Sequence, residues 1–427
     1  MPNYASPGVY VLELPNTGAR DITPVGSSLA GFVGLAPDPD ARPREAVAIN
    51  DFTQFASIYF GAKPVSTPLA NAVAGFFING GSRCYVVNIG TGGSITGTAQ
   101  QPNGLDLFDA IDEISIVAAP GFTDAESYAA LQAHCENVLH RDRMAILDTV
   151  ETVEDVSALT RVAASGVPMP AGEAGEAGEG DTGGGDTGEG DDGKPTARRS
   201  AAVPTTQLAL APPESSYLAV YTPWIVIRDA VTNALVTQPP SGHMAGVWAR
   251  VDTLRGVHKA PANEPILGAL DLTRRIGKGE QDLLNPAGIN CIRSFPGAGI
   301  LVWGARTRAT DEFRMIPVRR LSLVIRESIE EQTRWVVFEP NDYQLWKSIG
   351  RDIRNFLYKV WKDGALFGRT ADEAYFVKCD AETNPPELRD AGQVRTIVGF
   401  AAVKPAEFSI VELMQSAAVT DIPNEGE

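Results

Sequence analysis

The order of the apolar segments between residues 105 and 148 restricts the fold more than any other stretch of the chain. Ile114–Pro120 is a continuous apolar run that predicts a buried strand, and apolar side chains at helical spacing predict a helix from about Asp124 to His140. Met144–Asp148 predicts the next strand. A strand, a helix and a strand joined by short loops form a βαβ unit with parallel strands. The sequence therefore predicts an α/β domain within a multidomain protein of mixed α/β and α+β class.

The segment before this unit also alternates strands and helices. Three apolar runs predict strands: Leu29–Ala36, Ala46–Ile49 and Arg83–Ile89. Thr67 and Pro68 predict the start of a helix before the third strand, because threonine accepts hydrogen bonds at a helix N-terminus and proline suits the first turn. These elements are expected to form a compact unit over residues 21–90.

A third unit is expected over residues 284–396. It contains predicted strands at Ile300–Gly304 and Trp335–Phe338 and a long helix from about Asp342 to Asp363. One face of that helix is an apolar stripe: Leu345, Trp346, Ile349, Ile353, Phe356, Leu357, Val360 and Trp361. Another face is basic: Lys347, Arg351, Arg354 and Lys362.

The net charge of −17 is concentrated in one short tract. Eight acidic residues lie there without a base between them: Glu173, Glu176, Glu179, Asp181, Asp186, Glu189, Asp191 and Asp192. The core of the surrounding insert, residues 166–215, consists of Gly, Glu, Asp and Thr with almost no hydrophobic residues, so we expect a disordered, solvated insert, the alternative being a specific acidic binding tail. The rest of the chain is mildly acidic, which makes nucleic acid a poor partner.

Neither cysteine usage nor hydropathy indicates a secreted or membrane protein. The four cysteines are far apart in sequence, which argues for a reducing cytoplasm and against a disulfide framework or a structural zinc site. No apolar run is long enough to span a bilayer, and the N-terminus lacks the layout of a secretory signal. We expect a cytoplasmic protein that is not exported by the general secretion route and does not insert directly into a membrane.

Motifs that would indicate an enzyme are missing from the sequence. Gly90–Ser94 follows a predicted strand but is not followed by a helix whose N-terminus could bind phosphate, so it is interpreted as a linker. Asp148 and Asp229 are candidate carboxylates, but roles at strand ends and in loops are commoner. We therefore expect no catalytic residues, no cofactor and no metal.

The two ends of the chain carry strand-like segments, Pro7–Leu14 and Val398–Leu413. A terminal strand with a free backbone edge either joins a sheet of its own chain or adds to the sheet of a neighbour. The Lys404-Pro405 break divides the C-terminal segment into two runs. The sequence leaves open which run pairs within its own chain.

Several motifs, in the same order, resemble the sheath protein of contractile phage tails, tailocins and related contractile injection systems. They are Ser6–Tyr10, Phe32–Gly34, Gly75–Val87, Leu284–Arg293, Gly299–Thr307, Val336–Asp342, Gly364–Gly368 and Val403–Phe408. The resemblance covers roughly residues 1–90 and 284–414. Residues 105–283 are only loosely similar, and the acidic insert has no counterpart.

The resemblance implies a structural protein that forms a helical polymer. Sheath subunits stack as six-subunit rings around an inner tube, contact baseplate and terminator or cap proteins, and contract from a metastable extended state to drive the tube through a target envelope. Strands of the terminal arms are exchanged with neighbouring subunits. The resemblance also implies assembly in the cytoplasm of the producing bacterial cell, as part of a phage tail or tail-like particle that is retained in the cytoplasm or released.

Applied to this chain, the resemblance implies a core built from residues 21–90 and 284–396, an outer domain inserted at 91–283, and arms at 1–20 and 397–427. The expected exchanged-strand residues are Val9, Tyr10, Val11, Leu12, Val398, Phe400, Phe408, Ile410, Val411 and Leu413. Lys347, Arg351, Arg354 and Lys362 are expected to face an acidic inner tube or an adjacent subunit, the alternative being a solvated helix face. A second hypothesis of another class is a cytoplasmic α/β enzyme with an active site in residues 105–283.

Overall fold

The computed structural model describes residues 22–98, 100–137, 142–163 and 209–407. The predicted N-terminal arm and the acidic tract of the insert lie outside these ranges, as do several of the expected exchanged-strand residues: Val9, Tyr10, Val11, Leu12, Phe408, Ile410, Val411 and Leu413. Of that set, Val398 and Phe400 are described.

The strands are, in chain order, β1 (Ala30–Gly34), β2 (Ala46–Ile49), β3 (Cys84–Asn88), β4 (Thr96–Thr98), β5 (Gln101–Gly104), β6 (Ile116–Ala118), β7 (Met144–Asp148), β8 (Leu218–Thr222), β9 (Ile225–Arg228), β10 (Leu235–Gln238), β11 (Asp271–Leu272), β12 (Ile289–Phe295), β13 (Gly299–Trp303), β14 (Tyr375–Lys378) and β15 (Ile397–Phe400). The helices are α1 (Phe52–Tyr59), α2 (Pro68–Ile78), α3 (Ala125–Glu136), α4 (Ser241–Arg255), α5 (Lys278–Leu284), α6 (Ile316–Gln332), α7 (Tyr343–Lys362), α8 (Ala371–Ala374) and α9 (Pro386–Asp390).

Eight strands form one sheet in the order β13-β12-β8-β7-β6-β1-β3-β2. The pairs from β12 to β3 are parallel, and only the edge strands β13 and β2 run antiparallel to their neighbours. The predicted βαβ unit is confirmed, because β6, α3 and β7 follow one another and Ile116 lies opposite Met144 in a parallel ladder. β7 and β8 are buried along their whole length, as continuous apolar strands in a parallel sheet should be.

Local signals position the helices as predicted. The Thr67 hydroxyl accepts a hydrogen bond from the amide of Ala70 at the start of α2, 3.2 Å away. α2 lies directly against α4, where glycine permits close backbone approach. A Cβ atom built on Gly242 would lie 2.4 Å from the Cα of Ala72, so a larger side chain would force the two helices apart.

The buried hydrophobic residues form two clusters. The larger one contains the eight-stranded sheet and the helices packed on it, and we call this part the α/β body. The smaller one contains α7, β14 and β15, and we call it the terminal body. Helix α6 contributes to both, since Ile316 and Leu323 pack in the larger cluster while Leu321 and Ile325 pack in the smaller one.

This division differs from the boundaries expected at residues 90 and 284. Strand β1 of the N-terminal segment lies between β3 and β6, so residues on both sides of the first boundary share one sheet and one core. Strand β12, beyond the second boundary, pairs with β8 in the same sheet. Sequence-local patterns indicate where elements begin and end, but the order of strands in a sheet depends on contacts between distant segments.

The predicted strand at Trp335–Phe338 is wrong. Residues Arg334–Val336 form a 3-10 turn directly after α6, and Val337 and Phe338 are exposed. The amide of Thr333 donates to the carbonyl of Ile329, so the chain continues the helical hydrogen-bond pattern instead of entering a sheet. The β-branched composition of this run predicted a strand, but no described strand lies beside it to complete a ladder.

The expected insert ends before residue 215. Leu210 and Ala211 are buried, and Ala211 forms a parallel bridge with Val162. The amide of Ala163 donates to the carbonyl of Ala211 at 2.8 Å, which brings the two ends of the segment 164–208 together.

Candidate assembly surface

Helix α7 organises the terminal body. Asp342 caps it, accepting hydrogen bonds from the amides of Gln344 and Leu345 at 2.9 Å each. The predicted apolar stripe is confirmed: Leu345, Trp346, Ile349, Ile353, Phe356, Leu357 and Val360 are buried, and Trp361 packs against them. The stripe fixes which face of the helix remains outside the core.

The predicted basic residues lie on that outer side, but they are not equivalent. Arg351 pairs with the buried carboxylate of Asp352 at 3.0 Å, and Arg354 donates to the carbonyl of Val377 at 3.1 Å. The ammonium groups of Lys347 and Lys362 lie over aromatic rings of the same helix, 4.7 Å from the Tyr343 centroid and 4.9 Å from the Trp361 centroid. The two lysines are therefore presented outward, whereas both arginines also bind their own chain.

Strands β14 and β15 form a two-stranded antiparallel sheet, which we call the terminal ribbon. Val377 lies opposite Val398, and Tyr375 lies opposite Phe400. The first run of the C-terminal segment thus pairs within its own chain. Among the described residues no third strand joins this ribbon. It packs on α7 through Val377, while Phe376 is 57% exposed and Ile397 is 38% exposed.

An ion pair that was not predicted from the sequence, between Arg306 and Glu407, lies where the chain leaves the terminal ribbon. The Arg306 guanidinium donates from Nε to both carboxylate oxygens of Glu407, at 2.9 and 3.1 Å, and from Nη2 to Oε2 as well. Their side chains are 9% and 18% exposed. Each residue lies inside a motif that carries the family resemblance, Gly299–Thr307 or Val403–Phe408. The sequence signal that could have indicated the pair is the presence of a basic residue, Arg306, in one motif and an acidic residue, Glu407, in the other.

The candidate carboxylates of the middle region have structural partners. Burial raises the pKa of Asp148 to about 7, against hydrogen bonds from Ser241 and Gly121 that lower it. Its carboxylate accepts from the amide and hydroxyl of Ser241 at 2.8 and 2.7 Å, at the start of α4. Asp229 accepts from Ser66, Asn71 and Thr232. Both carboxylates therefore hold segments of their own chain together.

Within residues 22–98, 100–137, 142–163 and 209–407, no group of three or more histidine, cysteine, aspartate or glutamate side chains is arranged to bind a metal ion. None of the helices in these ranges is both long enough and apolar enough to cross a membrane.

The chain matches two family models. The phage tail sheath protein central domain matches residues 196–308, and the phage tail sheath C-terminal domain matches residues 308–415. The boundary between them lies just before α6 begins, where the α/β body gives way to the helix that both bodies share. The junction of the two family models therefore lies close to the helix at which the larger core cluster gives way to the smaller one.

Curated relatives carry the same description. The tail sheath protein of Burkholderia phage BcepMu is 30% identical over 195 residues, which cover 43% of this chain and 40% of that protein. The tail sheath protein of Salmonella phage ViI is 26% identical over 219 residues, covering 47% of this chain and 34% of that protein. The matched part thus spans less than half the length of these relatives.

Solved structures are similar over almost the whole chain. The sheath complex of the extracellular contractile injection system PVC, in its contracted state, has a TM-score of 0.73 and 27% identity, covering 97% of this chain and 99% of that chain. The contracted helical sheath of the anti-feeding prophage AFP has a TM-score of 0.70 and 28% identity, covering 97% of this chain and 100% of that chain. The resemblance found in the sequence motifs is confirmed, and the chain belongs to the contractile tail sheath family.

Proposed function

We propose that this protein is the structural subunit of a contractile sheath and that it acts by polymerisation rather than by catalysis. The observation that carries the proposal is the likeness to contracted sheaths over almost the entire chain. Asp148 and Asp229, the candidate carboxylates of residues 105–283, accept hydrogen bonds within the chain, so a structural role accounts for both of them.

The terminal ribbon supports a mechanism for the polymer. A two-stranded sheet is marginal on its own and becomes stable when further strands join it. Strands from the arms of neighbouring subunits would extend the ribbon by main-chain hydrogen bonds, with Val9, Tyr10, Val11 and Leu12 supplied by one arm and Phe408, Ile410, Val411 and Leu413 by the other. Val398 and Phe400 would accept such a strand on the free edge of β15.

Exchanged strands allow subunits to rotate without separating. A contact between two different patches does not close on itself and generates a helical polymer. If the arms hold neighbours together, contacts elsewhere can be replaced by more favourable ones as the sheath shortens, and the stored free energy is released without dissociation. Such a cycle needs no nucleotide.

The partners follow from the same proposal. The subunit would bind copies of itself in stacked six-subunit rings, an inner tube and the proteins at the two ends of the sheath. An AFP baseplate structure includes a chain with a TM-score of 0.69 and 28% identity to this one, which supports a baseplate contact. Assembly would take place in the cytoplasm of the producing cell. The finished particle would then either be released or remain there.

Electron microscopy tests the proposal directly. Negatively stained wild-type protein is expected to form striated hollow tubes, and a preparation that contains only monomers under all assembly conditions would contradict the function. Deleting residues 1–14 or 408–427 is expected to give folded monomers that do not polymerise. The second deletion begins at 408 because β15 is part of the intrachain ladder. Normal tubes from both truncated proteins would rule out strand exchange.

The basic face of α7 requires a separate test. Lys347→Glu with Lys362→Glu is preferable to changes at Arg351 and Arg354, because the arginines bind Asp352 and Val377 of their own chain. We expect the double variant to fold and to lose co-assembly with the inner tube or the adjacent subunit. Arg389→Glu, on the exposed helix α9, is the matched control. If the double variant co-assembles like wild type, the basic face of α7 is a solvated surface and not a contact with the inner tube or the adjacent subunit.

A further inference from the structure

The C-terminal segment runs from one body of the molecule to the other before the described residues end. At Val403 the chain still belongs to the terminal body, since its amide donates to the carbonyl of Ala365 at 3.1 Å. Four residues later Glu407 is bound to Arg306, which follows β13 in the α/β body. Residues 403–407 therefore form a strap between the two bodies.

Arg306 is held in place by its own surroundings. Its amide donates to Oδ1 of Asn290 and its carbonyl accepts from Nδ2 of the same side chain, both at 2.7 Å. Asn290 lies on β12 and is fully buried. The Nη1 atom of Arg306 donates to the carbonyl of Asn285 at 3.0 Å. The backbone of Arg306 is thus held by Asn290 of β12, and its guanidinium is held by the Asn285 carbonyl at the end of α5. The side of the guanidinium formed by Nε and Nη2 remains available to bind a carboxylate.

The strap itself has little apolar packing to hold it. Lys404 and Ala406 are exposed, and the strap lies along a cleft of about 560 Å³ whose lining includes Lys278, Arg293 and Trp303. The carboxylate pairing is therefore the main described contact that holds residue 407 on the α/β body. A buried arginine without its partner carries a large desolvation cost, so the folded chain strongly favours the paired state.

We propose that Arg306 and Glu407 form a clamp that positions the root of the C-terminal arm. The clamp fixes the position of Glu407, where the described residues end, on the α/β body. It also links the terminal ribbon to the α/β body through the strap. The consequence for assembly rests on the proposed function: an arm with a fixed root has fewer orientations to search before it reaches a neighbouring subunit.

A glutamate-specific protease tests the clamp in the monomer. Such a protease must take up the Glu407 side chain, which the clamp withholds. Arg306→Gln is expected to raise the rate of cleavage after Glu407 about tenfold or more, because cleavage follows the population of the open strap. Arg293→Gln is the matched control, since Arg293 lines the same cleft but donates to Gln281. Intact-mass analysis identifies the cleavage site, and equal rates in wild type and Arg306→Gln would overturn the clamp.

Exchanging the two charged residues of the clamp provides a second measurement, which does not require the Arg306→Gln variant to fold well. Trypsin is expected to cut rapidly after residue 407 in Glu407→Arg alone. The double variant Arg306→Glu with Glu407→Arg restores opposite charges, and its cleavage there is expected to be about tenfold slower than in the single variant. Equal tryptic cleavage of both variants would overturn the pairing as the cause of protection.

Assembly kinetics separate this inference from the proposed function. Folded Arg306→Gln is expected to form tubes about tenfold more slowly than Arg293→Gln, and the charge exchange is expected to recover part of the rate. If wild-type protein forms no tubes, the proposed function fails while the protease result still decides the clamp. If Arg306→Gln is cleaved faster but polymerises at the control rate, the positioning role in assembly is overturned.

Discussion

The α/β body and the terminal body use β-structure in opposite ways. The α/β body completes an eight-stranded sheet from its own chain and buries both faces of its central strands. The terminal body contains a ribbon of two strands, packed on one long helix, with Phe376 and Ile397 exposed beside it. Under the proposed strand exchange, the terminal ribbon would gain stability from strands supplied by another subunit, whereas the eight-stranded sheet would not need them.

The largest expected effect concerns the buried ion pair on the helix that the two bodies share. Arg320 of α6 donates to Asp252 of α4 at 2.7 Å and to the carbonyl of Ser27 at 2.7 Å, and both charged side chains are almost fully buried. Asp252→Ala leaves the guanidinium buried without its counter-ion. We expect the free energy of unfolding to fall by about 3–5 kcal/mol, measured by chemical denaturation.

A surface pair on the same helix is the control for this prediction. Arg326 and Glu330 are mostly exposed and 3.8 Å apart. Glu330→Ala is expected to change the free energy of unfolding by less than about 0.5 kcal/mol, because water screens exposed pairs. Similar effects of Asp252→Ala and Glu330→Ala would mean that α6 is not attached to the α/β body through the buried pair.

The next prediction measures the contrast between the two sheets directly. Amide hydrogens of β14 and β15 are expected to exchange about a hundredfold faster than those of β7 and β8 in the monomer, because a small sheet opens locally at lower cost than a buried central one. In assembled tubes the ribbon amides should become protected. The measurement is hydrogen exchange detected by mass spectrometry on the monomer and on assembled tubes. Equal protection of the terminal ribbon and of β7 and β8 in the monomer would contradict the proposed difference between the two sheets.

What the sequence predicted depended on whether the signal was local. The cap at Thr67, the start of a helix near Asp342 and the apolar stripe of α7 depend on neighbouring residues, so α2 and α7 were predicted closely. The strand at Trp335–Phe338 failed because strand formation needs a partner that propensity does not supply. The boundaries at residues 90 and 284 differ from the core division because strand order is decided by distant segments.

The candidate site shows the same limit. The basic residues of α7 were predicted from helical spacing, but the self-contacts of Arg351 and Arg354 depend on packing that spacing does not reveal. The pair of Arg306 and Glu407 joins residues 101 positions apart. The motifs pointed to both segments, yet only the folded chain shows that one carboxylate meets one guanidinium there.

A smaller effect is expected at the cleft between α6 and the α/β body. Glu327 lines this cleft of about 880 Å³. Burial, together with repulsion from Asp142, Glu331 and Asp112, raises its pKa from an ordinary 4.5 to about 8, although Arg143 acts in the opposite direction. The folded state therefore holds the proton more tightly than the unfolded state. Its contribution to stability is fully present below about pH 4.5 and is lost as the pH rises to about 8.

Glu327→Gln is expected to remove this pH dependence. The melting temperature of the variant should be close to that of wild type at about pH 5 and above it at about pH 9, because the neutral amide resembles the protonated acid. Glu330→Gln changes a carboxylate of the same helix and cleft that is 70% exposed, so it is the control and should leave the pH profile unchanged. If wild type and Glu327→Gln keep the same difference in melting temperature at both pH values, protonation of Glu327 does not stabilise the cleft.

The smallest effect is expected from removing residues 164–208, which contain the acidic tract. The ends of residues 164–208 are already joined by backbone hydrogen bonds of Ala163 and Ala211, at 2.8 Å, so the α/β body does not need the segment to close its chain. Replacing it with a short Gly-Ser linker is expected to leave the free energy of unfolding unchanged or to raise it by up to about 2 kcal/mol, because a shorter loop costs less entropy to close. Deleting residues 159–215 instead, which also removes the buried side chains of Leu159 and Leu210, is expected to destabilise the body strongly. A linker variant as unstable as that deletion would show that the α/β body depends on residues 164–208. That result would contradict the statement that the α/β body, unlike the terminal ribbon, is complete without them.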